Sequence, residues 1–257
     1  SYIMKILKLG QMLGGSNSPS GGYKNVYSLD FDGVDDYVNL GDSNDFSFGD
    51  GSTDSAFSVS MWVKLSDAAS QGFFAKASSS AKEYHILTGS NRKLRCRLYD
   101  DSTGGHIQSQ IDAVLSTGSW VHFVFTYDGS EDKDGITIYA DGSAPSQTKG
   151  SSGSYTAMEN TSAALRMASS EMNSFYLEGD VDEVALFDIE LSSSQVTDIY
   201  NSGTPTDLTS HTGLIGYWRN GDTAGASVYP TIEDYSSNSN DGTMTNMASG
   251  DITTDVP

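Results

Sequence analysis

Apolar side chains fall at every second position in run after run of this chain. Phe57, Val59, Met61, Val63 and Leu65 do so over nine residues, and Leu94, Cys96 and Leu98 alternate with Lys93, Arg95, Arg97 and Tyr99. Val121, Phe123, Phe125 and Tyr127 keep the same period, as do Tyr27, Leu29 and Phe31, and Ile136 and Ile138. A period of two sends alternate side chains to opposite faces of a strand, so each run has one face to bury. Asp128-Gly129, Asp134-Gly135 and Asp141-Gly142 punctuate the runs, and such pairs supply the backbone that tight turns between strands demand. The pattern predicts an all-β chain folded as an antiparallel β-sandwich. One stretch has helical spacing instead. Ser192 with Gln195 forms a capping box, Val196, Ile199 and Tyr200 form an i, i+3, i+4 stripe, and Gly203 supplies a stop. A short helix is therefore expected near Ser192–Asn201, docked on the sandwich edge.

The 257 residues, 37% of them apolar, suffice for one large sandwich with extensions. Thirty-four acidic residues against 14 basic ones give a formal charge of -20, which opposes a phosphate backbone, so no nucleic-acid partner is expected. The same carboxylates suit a hard, oxygen-seeking cation such as calcium. Cys96 is the single cysteine, so no internal disulfide forms, as in chains that fold in a reducing compartment. Ile3, Met4, Ile6, Leu7 and Leu9 are interrupted by Lys5, Lys8 and Gln11, which is not the unbroken apolar run of an export leader. No stretch reaches the roughly 20 apolar residues of a membrane helix, so no membrane insertion is expected.

Six motifs follow in a telling order. They are Leu29-Asp30-Phe31-Asp32-Gly33-Val34-Asp35-Asp36-Tyr37-Val38, Phe57-Ser58-Val59-Ser60-Met61-Trp62-Val63, Trp120-Val121-His122-Phe123, Ile138-Tyr139-Ala140-Asp141-Gly142, Gly179-Asp180-Val181-Asp182-Glu183-Val184-Ala185-Leu186-Phe187, and the helix from Leu191 to Tyr200. In this order the chain resembles the laminin-G-like jelly-roll domain of the concanavalin-A-like lectin and glucanase superfamily. The resemblance implies a concanavalin-A-like jelly roll across roughly Tyr27 to Gly203, and fold alone does not fix function. Three segments are expected: an N-terminal arm (1–24), the sandwich (25–205) and a C-terminal extension (206–257). Gly213-Leu214-Ile215-Gly216-Tyr217-Trp218 in the extension resembles the lead-in strand that precedes the first motif in this family, displaced to the end. It is expected to complete its own sandwich or a neighbour's.

Candidate chemistry is sparse. Relatives that cleave β-glucans place carboxylates as Glu-x-Asp-x-x-Glu on one strand, and Glu178, Asp180 and Glu183 have that spacing. Residues 178 and 180 share a strand face while 183 falls on the other unless a β-bulge intervenes, and the apolar parity does switch between Val181 and Val184. The laminin-G-like motif accounts for the same residues without catalysis. The resemblance also implies a structural calcium near the first and last strands, at Asp32, Asp35, Asp36 and Asp182; Asp32 and Asp35 serve equally as turn caps. Arg95 and Arg97 share a strand face and offer a grip for an anionic sugar or an acidic neighbouring subunit, with internal salt bridging as the alternative. Trp62, opposite the core parity of its strand, offers a sugar-stacking platform or a surface for the tail to cover. His85, His106, His122 and His211 lack metal-ligand spacing, and Cys96 lies on an apolar face.

Assembly residues are expected at Ile3, Ile6, Leu7 and Leu9, which a monomer has no evident place to bury, and at Tyr217 and Trp218. Three functions stay open. The first is a non-catalytic structural or decorating protein of a virus particle, such as a phage capsid, tail or fibre component, oligomeric with itself or other virion subunits and located on the virion surface. The second is a secreted adhesin module that binds a cell-surface glycan. The third is a glycoside hydrolase using Glu178, Asp180 and Glu183.

Overall fold

A computed structural model describes residues 23–222 and 229–257, and within them two antiparallel sheets enclose one apolar core. The seven-stranded sheet contains β1 (Ser28–Asp32), β3 (Phe57–Leu65), β8 (Trp120–Tyr127), β9 (Ile136–Ala140), β14 (Glu178–Phe187), β15 (Leu214–Trp218) and β18 (Ile252–Thr253). Its order is β18-β1-β14-β3-β8-β9, with β15 also hydrogen-bonded to β14. The nine-stranded sheet contains β2 (Tyr37–Gly41), β4 (Gly72–Ala77), β5 (Lys82–Thr88), β6 (Leu94–Asp100), β7 (Gly105–Ile111), β10 (Gln147–Ser152), β11 (Leu165–Met167), β16 (Thr231–Ile232) and β17 (Gly242–Thr245). Its order is β10-β7-β6-β5-β4-β11-β2-β17-β16. A small hairpin, β12 (Ser169–Ser170) with β13 (Phe175–Tyr176), packs against β4, where its backbone comes so close to Gly72 that no side chain would fit.

The alternating runs become the inner faces. Val59, Met61 and Val63 of β3 and Phe123 and Phe125 of β8 meet Tyr84 and Ile86 of β5 and Leu94, Cys96 and Leu98 of β6 in one cluster. Phe48 stacks on Phe57 with centroids 4.3 Å apart, and the Tyr84 hydroxyl donates to the Phe46 carbonyl at 3.0 Å, so this inward phenol is satisfied. Cys96 is buried, and burial pushes its thiol up to about 12, which makes it core rather than nucleophile.

The C-terminal extension folds onto its own chain. β1 pairs with the first half of β14 (Leu29 opposite Val181, Asp32 opposite Glu178), and β15 pairs with the second half on the same side (Val184 opposite Trp218). β17 then joins β2, and β18 closes on β1. Tyr217 and Trp218 are both 0% exposed within the chain itself, so neither presents the assembly contact expected of it. Trp218 points into the main core, edge-on to Phe46, with its indole N–H donated to the Asn240 carbonyl at 2.9 Å. Tyr217 points the other way, into a second cluster outside the seven-stranded sheet. Ile3, Ile6, Leu7 and Leu9 lie outside the described residues.

The helix, α1 (Ser193–Tyr200), starts on the Ser192 capping box and ends at Asn201 in the left-handed region. It lies on a sheet face rather than at the sandwich edge. Val124, Ala185, Phe187 and Tyr217 project apolar surface outward there, and Val196 and Ile199 of the helix cover it. The register of β14 against β3 shifts between Asp182 and Ala185, where Glu183 adopts φ +46. This bulge is the parity switch between Val181 and Val184, and it turns Ala185 and Phe187 toward the helix.

Candidate functional site

The outer face of the nine-stranded sheet carries the candidate site. The alternation that sends Leu94, Cys96 and Leu98 inward sends Arg95, Arg97 and Tyr99 outward. Strand register then lines up their neighbours in rows: Leu87, Arg95, Gln110 and Thr148; His85, Arg97, Gln108 and Gly150; Tyr99, His106 and Ser152. Hydrogen bonds hold the centre of this grid. Arg97 donates Nε (3.0 Å) and Nη2 (2.7 Å) to the Gln108 side-chain oxygen and Nη1 to the Tyr99 hydroxyl at 3.2 Å. The Tyr99 oxygen lies 3.2 Å from His85 Nε2, and its ring stands edge-on to that imidazole. His106 flanks the same phenol with centroids 5.7 Å apart.

The electrostatics of the face are cationic and dry. Burial, with Arg97 and Arg95 adding repulsion, holds His85 well below the usual histidine range and lowers His106 to about 4. Burial and the Arg97 charge also lower Arg95. Among the described residues His85 Nδ1 and Arg95 Nε are shielded from solvent and have no hydrogen-bond partner. Both imidazoles are therefore neutral at pH 7; His85 spends Nε2 on Tyr99, and the half-buried His106 is the one with ring nitrogens to offer a ligand.

Other residues singled out by sequence lie elsewhere. Trp62 is only 4% exposed because Tyr200 of α1 stacks over it at 5.9 Å and His122 lies 4.9 Å away, so it has no free face for a sugar. Asp32, Asp35 and Asp36 do converge, each offering an oxygen within 4.8 Å of the others. Asp182 does not join them: β1 places Asp32 opposite Glu178, four residues along β14, and Asp182 is fully buried beside Glu183. Asp32 also caps its turn, accepting from the Val34 amide at 2.8 Å and the Asp35 amide at 3.3 Å.

The Glu178, Asp180 and Glu183 set does not form one open cleft. Glu178 is exposed beside Gly33, whereas Glu183 is 2% exposed, accepts from the Tyr217 hydroxyl, and pairs with Arg219 at 3.2 Å. Asp180 lies 3.7 Å from Lys64; burial, then the Asp30 charge, raises it to about 6. His122 is buried with Nε2 on the Ser60 hydroxyl at 2.8 Å. Sequence reading did not reach Tyr99, His85, His106 and Gln108 as partners of Arg97, because cross-strand register is not written in any one strand. The signal available was the outward parity of Tyr99 with Arg95 and Arg97.

A laminin-G family model, described as the concanavalin A-like lectin/glucanases superfamily, matches residues 32–197. The chain belongs to that superfamily. Its laminin-G-like sandwich is similar to a putative carbohydrate binding protein from Bacteroides ovatus, with a TM-score of 0.60 and 14% identity, over 90% of this chain and 60% of that one. The chain thus spans less than two thirds of that protein's length. It is also similar to the Ruminococcus gnavus IT-sialidase CBM40 bound to alpha2,3 sialyllactose (TM-score 0.47, 8% identity, 70% of this chain, 100% of that one). Domains LG4-5 of the mouse laminin alpha1 chain match with a TM-score of 0.45 and 8% identity, over 62% of this chain and 40% of that one. No curated protein sequence matches the laminin-G-like chain significantly. Among the described residues no helix is long and apolar enough to cross a membrane.

Proposed function

We propose that the chain is a non-catalytic glycan-binding module that presents the outer face of its nine-stranded sheet to a saccharide. The observation that carries this reading is the hydrogen-bonded array of Arg97, Tyr99, His85 and Gln108 on that face, beside the half-buried Arg95, His106 and Gln110. Planar donors and acceptors fixed on strands match the hydroxyl pattern of a sugar, while the His106 ring gives a C–H face something apolar to rest on. Resemblance to a carbohydrate binding protein supports the reading through the fold. The burial of Glu183 in an ion pair supports a non-catalytic role, since a glycosidase pairs two carboxyls across the bond it cleaves. Glycan-array binding by the wild-type chain and by Gln108→Ala with His106→Ala tests it. A defined set of glycans that the double variant loses is expected; no binding, or binding that the variant leaves intact, overturns it.

The setting proposed with this function is a virion surface, where such a face attaches a particle to a cell, in keeping with a binding chain that has one cysteine and no disulfide. Co-sedimentation with particles from the native source is expected, and a free protein in that fractionation overturns the setting. Calcium is proposed at Asp32, Asp35 and Asp36. Burial and the charges of Asp32, Asp251 and Asp35 raise Asp36, a mutual repulsion that a divalent cation would relieve. At a hundredfold excess over its dissociation constant, calcium should stabilise the chain by about 2.7 kcal/mol over chelator-treated protein, read by thermal melting.

A further inference from the structure

We propose that the saccharide taken by this face is acidic, with a carboxylate or sulfate seated against Arg95 and Arg97. The inference rests on the glycan-binding reading and narrows it to a ligand class. The chain has five arginines. Arg92 reaches Asp67 at 3.9 Å, Arg166 reaches Glu171 at 2.7 Å, and Arg219 reaches Glu183 and Asp222 at 3.2 Å each. Among the described residues Arg95 and Arg97 have no carboxylate within 4.0 Å. These two are neighbours on one strand face, both half withdrawn from water.

That arrangement is unfavourable in isolation. Like charges two residues apart repel, and partial burial removes the water that would screen them. The 34 acidic residues of the chain provided ample means of compensation, yet none of the outward positions at the registers of Arg95 and Arg97 holds one. Arg97 commits three donor contacts to Gln108 and Tyr99 and keeps two N–H groups unassigned. Arg95 Nε has no acceptor, and His85, 1% exposed in the row of Arg97, keeps Nδ1 unpaired. An anion supplies the missing charge and accepts from the N–H groups that Arg97 keeps unassigned, in the charge-assisted geometry that guanidinium favours. Gly150, in the row of Arg97, puts no side chain beside Gln108, so nothing projects from that position against a sugar ring.

Calorimetric titration of the full chain tests this with three probes: an oligogalacturonate, a sulfated oligosaccharide and neutral cellohexaose. An acidic probe should bind, weaken as salt is raised, and lose about tenfold or more with each of Arg95→Gln and Arg97→Gln. Arg92→Gln, off this face and already paired with Asp67, should bind as wild type does. Without ligand, Arg95→Gln should melt at or above the wild-type temperature, because it removes an uncompensated charge. A lowered melting temperature would give Arg95 a structural role and overturn the inference. Neutral probe bound as tightly as the acidic ones, and indifferent to both substitutions, overturns the acidic assignment and leaves the glycan-binding reading standing. Silence from all three probes and from the glycan array removes both. Two further results overturn the saccharide assignment: binding of inorganic sulfate without any saccharide, and a self-association that Arg95→Gln with Arg97→Gln abolishes while no probe binds.

Discussion

On the seven-stranded sheet the outward positions of β3 hold Ser58, Ser60 and Trp62; on the nine-stranded sheet those of β6 hold Arg95, Arg97 and Tyr99. Both sets obey the same two-residue period. The first set is roofed by α1 and by the segment around Leu208 and Tyr217, so its polar atoms can draw partners only from the protein, and among the described residues His122 Nδ1 and Thr126 Oγ1 beside them find none. Ser58 accordingly donates to the Ile189 carbonyl at 2.8 Å and accepts from the Leu191 amide at 2.9 Å, tying the sheet to the start of the helix. Among the described residues no helix or second cluster of this kind covers β6 and β7, so the groups there are left with capacity to spare. A sandwich has two outer faces, and the one it does not seal is the one with chemistry available.

The largest effect should come from breaking the seal. Tyr217→Ala removes a fully buried aromatic from beneath the helix and takes the hydroxyl donor from the buried Glu183 carboxylate. A loss of about 3 to 5 kcal/mol is expected in denaturant unfolding; a loss below about 1 kcal/mol would mean the extension does not hold the helix in place. Next comes acid sensitivity of the sealed face. His122 is packed between Trp62 and Tyr200, its backbone amide is on Asp141, and burial lowers it from 6.5 to about 3. The unfolded chain therefore takes up the proton first, and stability is lost as the pH falls from 6.5 toward 3. His122→Gln should lack that loss, so the stability gap between variant and wild type should shift by roughly 1.4 kcal/mol per pH unit across that window. A constant gap would show that His122 is charged in the fold. The smallest effect belongs to the open face. Gln110→Ala, half-buried and with its side-chain oxygen accepting from Asn91 at 3.3 Å, should change stability by no more than about 0.5 kcal/mol, and a larger change would show that face to be structural.

Much of this contrast was legible in the sequence. Alternation from Phe57 to Leu65 and from Leu94 to Leu98 marked strands and inner faces, and Ser192 with Gln195 marked the helix start. The parity switch after Val181 marked the bulge, because an extra residue must reverse which side chains face inward. What escaped were facts about distant pairs. Trp62 read as outward, and so it is, but the roof above it comes from Tyr200, 138 positions later in the chain. Asp182, from the later Gly179–Phe187 motif, was grouped with the acidic turn of the opening motif, yet antiparallel register put Glu178 opposite Asp32.

By itself the sequence determined the local period, the turns and which segments are strands, since these depend on neighbours within a few residues. Only the tertiary structure decided which outer face would be covered and which arginines would go without a carboxylate. Arg92, Arg166 and Arg219 look no different from Arg95 and Arg97 in a list of charges. They differ because folding brings Asp67, Glu171 and Glu183 within reach of the first three and places Gln108, Gln110 and His85 around the other two. Charge compensation depends on separations of a few ångströms between residues far apart in the chain, and strand register is what sets those separations.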